Sequence, residues 1–376
     1  MASTPKDESP LNTWIAILGR RDTPTDGIED YCFFLGEALK RHGIDLRQTR
    51  ALWAEKGWFV ALRSLWAESA NWRGQWVLLQ YTTMAWSRRG FPFGACIALE
   101  LLRRRGLRCS VVFHEAWRQP GDRLIDRIRG ACQEWVIRRL YAGADRAVFL
   151  DPLSKIVWLP KNSPKAAFIP IGANLPEGRP VETERRERNG TARTVAVFCL
   201  SDPPYRQREI DDIAHAMRVV AQQRAKVRVV FIGRGTAEAK EDIDKLFGSD
   251  SAEVVNLGLL SAEGVRRTLS EADAMLCVRG PLYMRRGSAI AGIACGLPIV
   301  GYAGAAEGTP LEEAGLELVP YLDRDALGKA LDRVLVDTER RRMLHARSWR
   351  AHRECFSWRR IADSFVQYLE FEADSP

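Results

Sequence analysis

The 376 residues, 46 % of them apolar, are enough for two domains with ordinary cores, and the formal charge of +8 suits nucleotide phosphates, an anionic acceptor or an anionic membrane surface. The arginines are spread over many helices and no RNA- or DNA-binding motif occurs, so nucleic acid is not expected as a partner. Eight scattered cysteines without a C-x-x-C pair, a polar N-terminus and the lack of a long apolar run exclude a zinc ribbon, a disulfide framework and a membrane span, and point to a cytoplasmic location in a reducing compartment.

Short apolar runs alternate with amphipathic stretches along the chain, the signature of α/β layering around parallel sheets. In the first half, strands are expected at Trp14–Leu18, Val77–Tyr81, Ser110–His114, Arg146–Leu150 and Ala167–Ile169. Helices are expected at Gly27–His42, Ala95–Arg105 and Leu124–Tyr141, while the tryptophan-rich stretch Leu52–Trp76 fits neither pattern. PEGRPVETERRERNGTA is charged and nearly without large apolar residues, so it reads as a linker. The alternation then restarts. Strands are expected at Thr194–Phe198, Val227–Ile232, Glu253–Leu257, Ala274–Cys277, Pro298–Tyr302 and Glu317–Val319. Helices are expected at Glu209–Arg224, Ala237–Leu246, Ala262–Glu271, Ser288–Cys295, Arg324–Val336 and Thr338–His352. The fold class is therefore α/β, two doubly wound Rossmann-like domains facing a central cleft, with ligands expected at the carboxyl ends of the strands.

The most informative stretch is MRRGSAIAGIACGLPIVGYAG, Met284 to Gly304. Gly287 frees a turn, Ser288 reads as the N-cap of a small-residue helix, and Arg285 and Arg286 stand just before the helix start. Unpaired N–H groups and the positive dipole end favour an anion there. Asp26-Gly27 lies at an earlier strand-to-helix turn where backbone amides can approach a phosphate, although a plain turn and cap explains it equally. His114 ends a buried strand and can hydrogen-bond a sugar hydroxyl, or be a core histidine satisfied by backbone. Arg206 and Arg208, in SDPPYRQREI, offer guanidinium forks to a diphosphate, with a solvated basic turn as the rival reading. FIGRG is too short to be more than a tight turn, and Gly258-Leu259 opens a loop able to offer backbone groups to a flat base. No G-x-S-x-G elbow, H-E-x-x-H pair or Walker loop occurs, and five histidines without paired spacing give no metal site.

In this order, DGIEDYCFFLGEALKRHG, VVFHEAW, ADRAVFLDPLSKIVWL, FIPIGANLP, VRVVFIGRG, VVNLGLLSAEGVRRTLSEADAMLCV and ACGLPIVGYAG resemble the segments of a GT-B glycosyltransferase of the retaining family-four type. The resemblance runs from about Trp14 to Glu370. It implies an acceptor-binding domain over 1–176, a linker at 177–193, a nucleotide-sugar domain over 194–355 and a C-terminal helix, 356–376, crossing back to the first domain. It further implies a nucleoside-diphosphate sugar as donor substrate, a UDP-sugar first and a GDP-sugar next, with no cofactor and no metal. The base would lie near Gly258 and Leu259. The phosphates would meet Arg285, Arg286, Gly287, Ser288, Gly27 and the arginines Arg206 and Arg208, and His114 would act as the catalytic contact to the sugar. The family's two glutamates, spaced E-x7-E, are replaced by Tyr283 and Ala291, so either another residue such as Glu307 holds the ribose or the donor binds differently.

Ten of the twelve tryptophans fall before residue 159, and YTTMAWSRRGFPFGACIALELLRRRG mixes aromatics with arginines. Such a segment builds a core with solvated faces, or docks peripherally on the inner membrane face or on an aromatic or sugar acceptor. The acceptor class stays open among a glycan, a lipid-linked glycan, a small natural product and a protein. Two further readings stand beside hexosyl transfer. One is a sugar-nucleotide epimerase-like enzyme, the other a non-catalytic scaffold subunit.

Overall fold

The computed structural model describes residues 12–178, 193–223, 227–247, 252–304 and 308–370. The chain divides into two compact units, one of Met1–Pro170 with Ile361–Pro376 and one of Ile171–Arg360.

The first unit runs β1 (Asn12–Leu18), α1 (Gly27–Leu39), β2 (Ile44–Arg50), α2 (Trp53–Lys56), α3 (Trp58–Glu68), β3 (Trp76–Tyr81), α4 (Phe93–Arg104), β4 (Arg108–Phe113), α5 (Leu124–Gly143), β5 (Arg146–Phe149) and β6 (Ala166–Phe168). Its six strands form a parallel sheet in the order β2-β1-β3-β4-β5-β6. The central strand β3 is buried along its whole length, as a strand covered on both faces must be. Helix α1 starts where the Asp26 carboxylate accepts from the Ile28 and Glu29 amides, and buries the stripe Tyr31, Cys32, Leu35 and Leu39. The tryptophans divide: Trp14, Trp53, Trp76 and Trp86 are core residues, whereas Trp66 and Trp135 are exposed. At the other end of the chain, Glu370 accepts from Trp14 Nε1 at 3.2 Å and Asp363 meets His42 at 2.9 Å, so the last helix residues belong to this unit.

Three elements lie outside the sequence expectation. The segment IDLRQTR forms edge strand β2, and the tryptophan-rich stretch folds as α2 and α3. An edge strand needs burial at only some positions, so β2 carries no continuous apolar run; only Ile44 and Leu46 are buried.

The second unit runs β7 (Arg193–Phe198), α6 (Tyr205–Gln223), β8 (Val227–Ile232), α7 (Lys240–Phe247), β9 (Glu253–Gly258), α8 (Ala262–Glu271), β10 (Ala274–Cys277), α9 (Gly287–Ala294), β11 (Ile299–Tyr302), β12 (Leu316–Val319), α10 (Arg324–Val336) and α11 (Thr338–Ala351). A π-helical turn, His352–Phe356, leads into α12 (Trp358–Glu370). The parallel order is β12-β11-β10-β7-β8-β9. The chain steps outward from β7 to β8 and β9, then returns past β7 to lay down β10. That reversal between β7 and β10 is the topological switch point, where an open α/β sheet leaves a crevice at its carboxyl end. Both units are thus doubly wound and Rossmann-like. Among the described residues, no helix is long and apolar enough to cross a membrane.

Candidate anion-binding site

The switch-point crevice of the second unit is lined by Phe198 and Cys199 at the end of β7, Leu276 to Gly280 at the end of β10, Leu282, and Arg286 and Ser288 at the start of α9. Its backbone is tightly tied. The Cys199 amide donates to the Ile232 carbonyl at 2.8 Å and the Leu200 amide to the Arg234 carbonyl at 2.9 Å, so the FIGRG turn braces the loop after β7. On the other side, the Leu282 amide donates to the Tyr302 carbonyl at 3.0 Å. A Cβ at Gly304 would lie 2.0 Å from the Leu282 carbonyl oxygen, so only glycine lets the loop after β10 rest against the chain leaving β11.

Helix α9 begins at Gly287 with Arg286 in the N-cap position, and the cap makes no side-chain hydrogen bond. Ser288, expected as the cap, is instead the second helical residue. The helix start is therefore not closed by its own cap side chain, as α1 is closed by Asp26.

Two arginines converge on this helix start. Among the described residues neither Arg279 nor Arg286 has a carboxylate within salt-bridge distance, and the Arg279 Nε is buried without a hydrogen-bond partner. Burial pulls Arg286 below the ordinary arginine range and the neighbouring Arg279 pushes the same way, while Tyr283 opposes. Arg286 also lies over the Tyr283 ring at 4.7 Å, with Arg285 at 5.6 Å from the same ring. Among the described residues no carboxylate lines the crevice. Two close guanidinium groups stand beside a helix N-terminus, Arg286 partly desolvated and supported by the Glu209 carboxylate only from beyond salt-bridge distance, an arrangement that suits an anion.

The other predicted arginines are placed differently. Helix α6 starts at Tyr205, four residues before its expected start, so Arg206 and Arg208 sit on its first turn rather than in a loop. Arg206 donates from Nε to the Ser201 carbonyl at 3.1 Å and lies 3.7 Å from Asp202. Arg208 donates to the Tyr321 hydroxyl at 2.7 Å and lies 3.6 Å from Glu209 and 3.9 Å from Asp212, both fully buried. Asp212 in turn accepts from the Tyr302 hydroxyl at 2.8 Å and from Arg324 Nε at 2.5 Å. The Arg208 charge is thereby matched inside the unit. Gly258 closes β9 in a left-handed conformation at the sheet edge, two strands from the crevice, with Leu259 half exposed beside it. Ala291 is buried on the inner face of α9 and Tyr283 is partly exposed. Glu307 lies outside the described residues.

In the first unit, Gly27 is the first residue of α1, but Asp26 already caps that turn and Glu29 and Asp30 follow. Burial and the neighbouring Asp26 and Glu29 carboxylates raise the Asp30 pKa against the opposing Arg21, while Arg50 lies 3.2 Å from Asp26 and 3.4 Å from Glu29. His114 follows β4. Its amide donates to the Tyr81 carbonyl, its Nε2 lies 2.8 Å from Gln80 Oε1, and its ring meets Tyr31 edge-on. With Oε1 as acceptor, Nε2 carries the proton and the fully buried Gln80 fixes the ring. Sequence reasoning missed Arg279, whose only signal is its place two residues beyond the buried strand AMLC at the switch point.

No family profile matches the chain, and no curated protein matches it in sequence. Solved structures do match in fold. Sucrose-phosphate synthase from Thermosynechococcus elongatus is 19 % identical with a TM-score of 0.67, covering 97 % of this chain and all of that one. Anabaena HepE in complex with UDP and glucose is 13 % identical with a TM-score of 0.65, covering 96 % of this chain and all of that one. An E. coli trehalose-6-phosphate protein bound with UDP-2-fluoro glucose is 13 % identical with a TM-score of 0.59, covering 94 % and 98 %. With two doubly wound units and a likeness spanning nearly the whole of each chain, the protein has the GT-B fold.

Proposed function

We propose that the second unit binds a nucleoside-diphosphate sugar and that the protein transfers the sugar to a hydroxyl-bearing acceptor. The observation that carries this reading is the pair Arg279 and Arg286, without a carboxylate partner among the described residues, at the uncapped start of α9. As the glycosidic bond breaks, negative charge grows on the departing diphosphate. Fixed guanidinium groups and the helix amides stabilise that charge without reorganising. Ser288 and Gly287 lie in the first turn and would add their amides to the same phosphate. Retention of configuration follows if the acceptor attacks the face that the diphosphate leaves. We assign His114 a hydrogen bond to a sugar hydroxyl, in the tautomer that Gln80 selects. The fold-mates HepE, in complex with UDP, and the E. coli protein, bound with UDP-2-fluoro glucose, favour UDP as the first base to try.

Calorimetry against UDP, GDP, ADP and dTDP tests the donor. Binding of one of them supports the reading; a folded sample that binds none refutes it. Tyr283 and Ala291, where the family has glutamates, favour a second reading, a binding subunit without turnover. Release of the free nucleoside diphosphate from the matching sugar nucleotide, lost in His114→Ala, separates the two.

A further inference from the structure

We propose that the face of the first unit built by α3, α4 and α5 docks on an anionic phospholipid bilayer. The charge distribution points there first. Residues 58–143 hold fourteen arginines, no lysine and six carboxylates. That excess of eight equals the net charge of the whole chain, so the remaining residues are balanced.

The apolar surface points to the same place. The connections after β2, β3 and β4 run the same way across the sheet, which puts α3, α4 and α5 on one face. Their inner sides supply the core through residues such as Leu65, Leu99 and Ile137. Their outer sides are apolar as well: Phe59 is 80 % exposed, Leu124 72 % and Trp135 54 %. On α5, exposed Leu124, Ile128 and Trp135 recur at spacings that align them along one stripe. On α4, Phe93 and Ile97 stand one turn apart and exposed. The Phe93 and Trp135 rings lie 5.9 Å apart and join the two helices. Helix α3 is held close to α4, since a Cβ on Gly94 would sit 1.9 Å from the Trp58 ring. Core packing needs none of these outer side chains.

Exposed arginines border the stripe. Arg127 and Arg139 precede Ile128 by one residue and follow Trp135 by one turn, and Arg63 follows Phe59 by one turn on α3. A bilayer interface suits this mixture, because apolar and aromatic side chains enter the headgroup region while long basic side chains reach the lipid phosphates. A second copy of the chain does not. Isologous pairing would set arginine against arginine, and Glu100, Asp126 and Glu134 are already paired with arginines of their own helices. Nucleic acid would not use Leu124 or Ile128, which have no ring to stack on a base.

Co-sedimentation of the full chain with phosphatidylcholine vesicles, with and without phosphatidylglycerol, tests the proposal. The protein should bind only vesicles containing phosphatidylglycerol, and added salt should weaken binding. The pair Phe59→Ser with Leu124→Ser should lose roughly tenfold in partitioning. The triple variant Arg63→Glu, Arg127→Glu, Arg139→Glu should lose roughly a hundredfold. All five positions are exposed, so both variants should melt with the parent protein. Failure to bind either vesicle, equal binding to both, or variants that bind like the parent would overturn the proposal. So would a patch-dependent dimer in sedimentation velocity, which would give the surface to a second copy.

Discussion

Replacing Asp212 by alanine tests whether the arginines of α6 are structural. Asp212 is fully buried, 2.8 Å from the Tyr302 hydroxyl, 2.5 Å from Arg324 Nε and 3.9 Å from Arg208 Nε. The substitution strands the buried Tyr302 hydroxyl and leaves Arg208, among the described residues, with Glu209 as its one nearby carboxylate. A charge-assisted hydrogen bond contributes about 1.5–3 kcal/mol and removal of one partner of a buried ion pair about 3–5 kcal/mol. Arg324 is partly exposed, so its share is screened by solvent. The expected loss is therefore about 3 kcal/mol in urea unfolding of the second unit. Asp212→Asn, which keeps an acceptor for Tyr302, should lose roughly half of that. An Asp212→Ala protein within about 0.5 kcal/mol of the parent would refute this account of the network.

Arg208→Ala should likewise destabilise the second unit, by about 2 kcal/mol, while UDP affinity in the folded protein stays within about threefold of the parent by calorimetry. Gly304→Ala places a methyl on the Leu282 carbonyl, so the loop after β10 must shift and UDP binding should fall by about tenfold or more with the protein still folded. His352, held near pKa 4 by burial, should make the protein acid-sensitive. Its stabilising neutral form is fully present above the unfolded value near 6.5, and about 3 kcal/mol is lost as pH falls from there toward 4. Unfolding titrations of parent and His352→Gln should diverge in that window and nowhere else.

The alternation of apolar runs was enough to read the two doubly wound sheets, because strands such as VLLQY and AMLC are buried along their length. It failed at β2, where only one edge and part of one face are covered. The start of α6 was hidden by two prolines that look like loop but stand just outside the helix. The candidate site was legible as a place in the fold and less so as a set of side chains. MRRGSAIAG marked the helix start, and Arg286 does lie there. How far Arg208 is compensated depends on the carboxylates of α6 and on Tyr321, the latter a contact 113 residues away in sequence. Arg279 could have been found by asking which residue follows the returning strand of a doubly wound sheet.

The most direct measurement is calorimetric titration of UDP into the parent protein, Arg279→Ala and Arg286→Ala. The account predicts binding by the parent and a loss of roughly tenfold to a hundredfold in each variant, the range of one charge-assisted phosphate contact. A folded parent that does not bind UDP or any other nucleoside diphosphate, or two variants that bind with undiminished affinity, would contradict it.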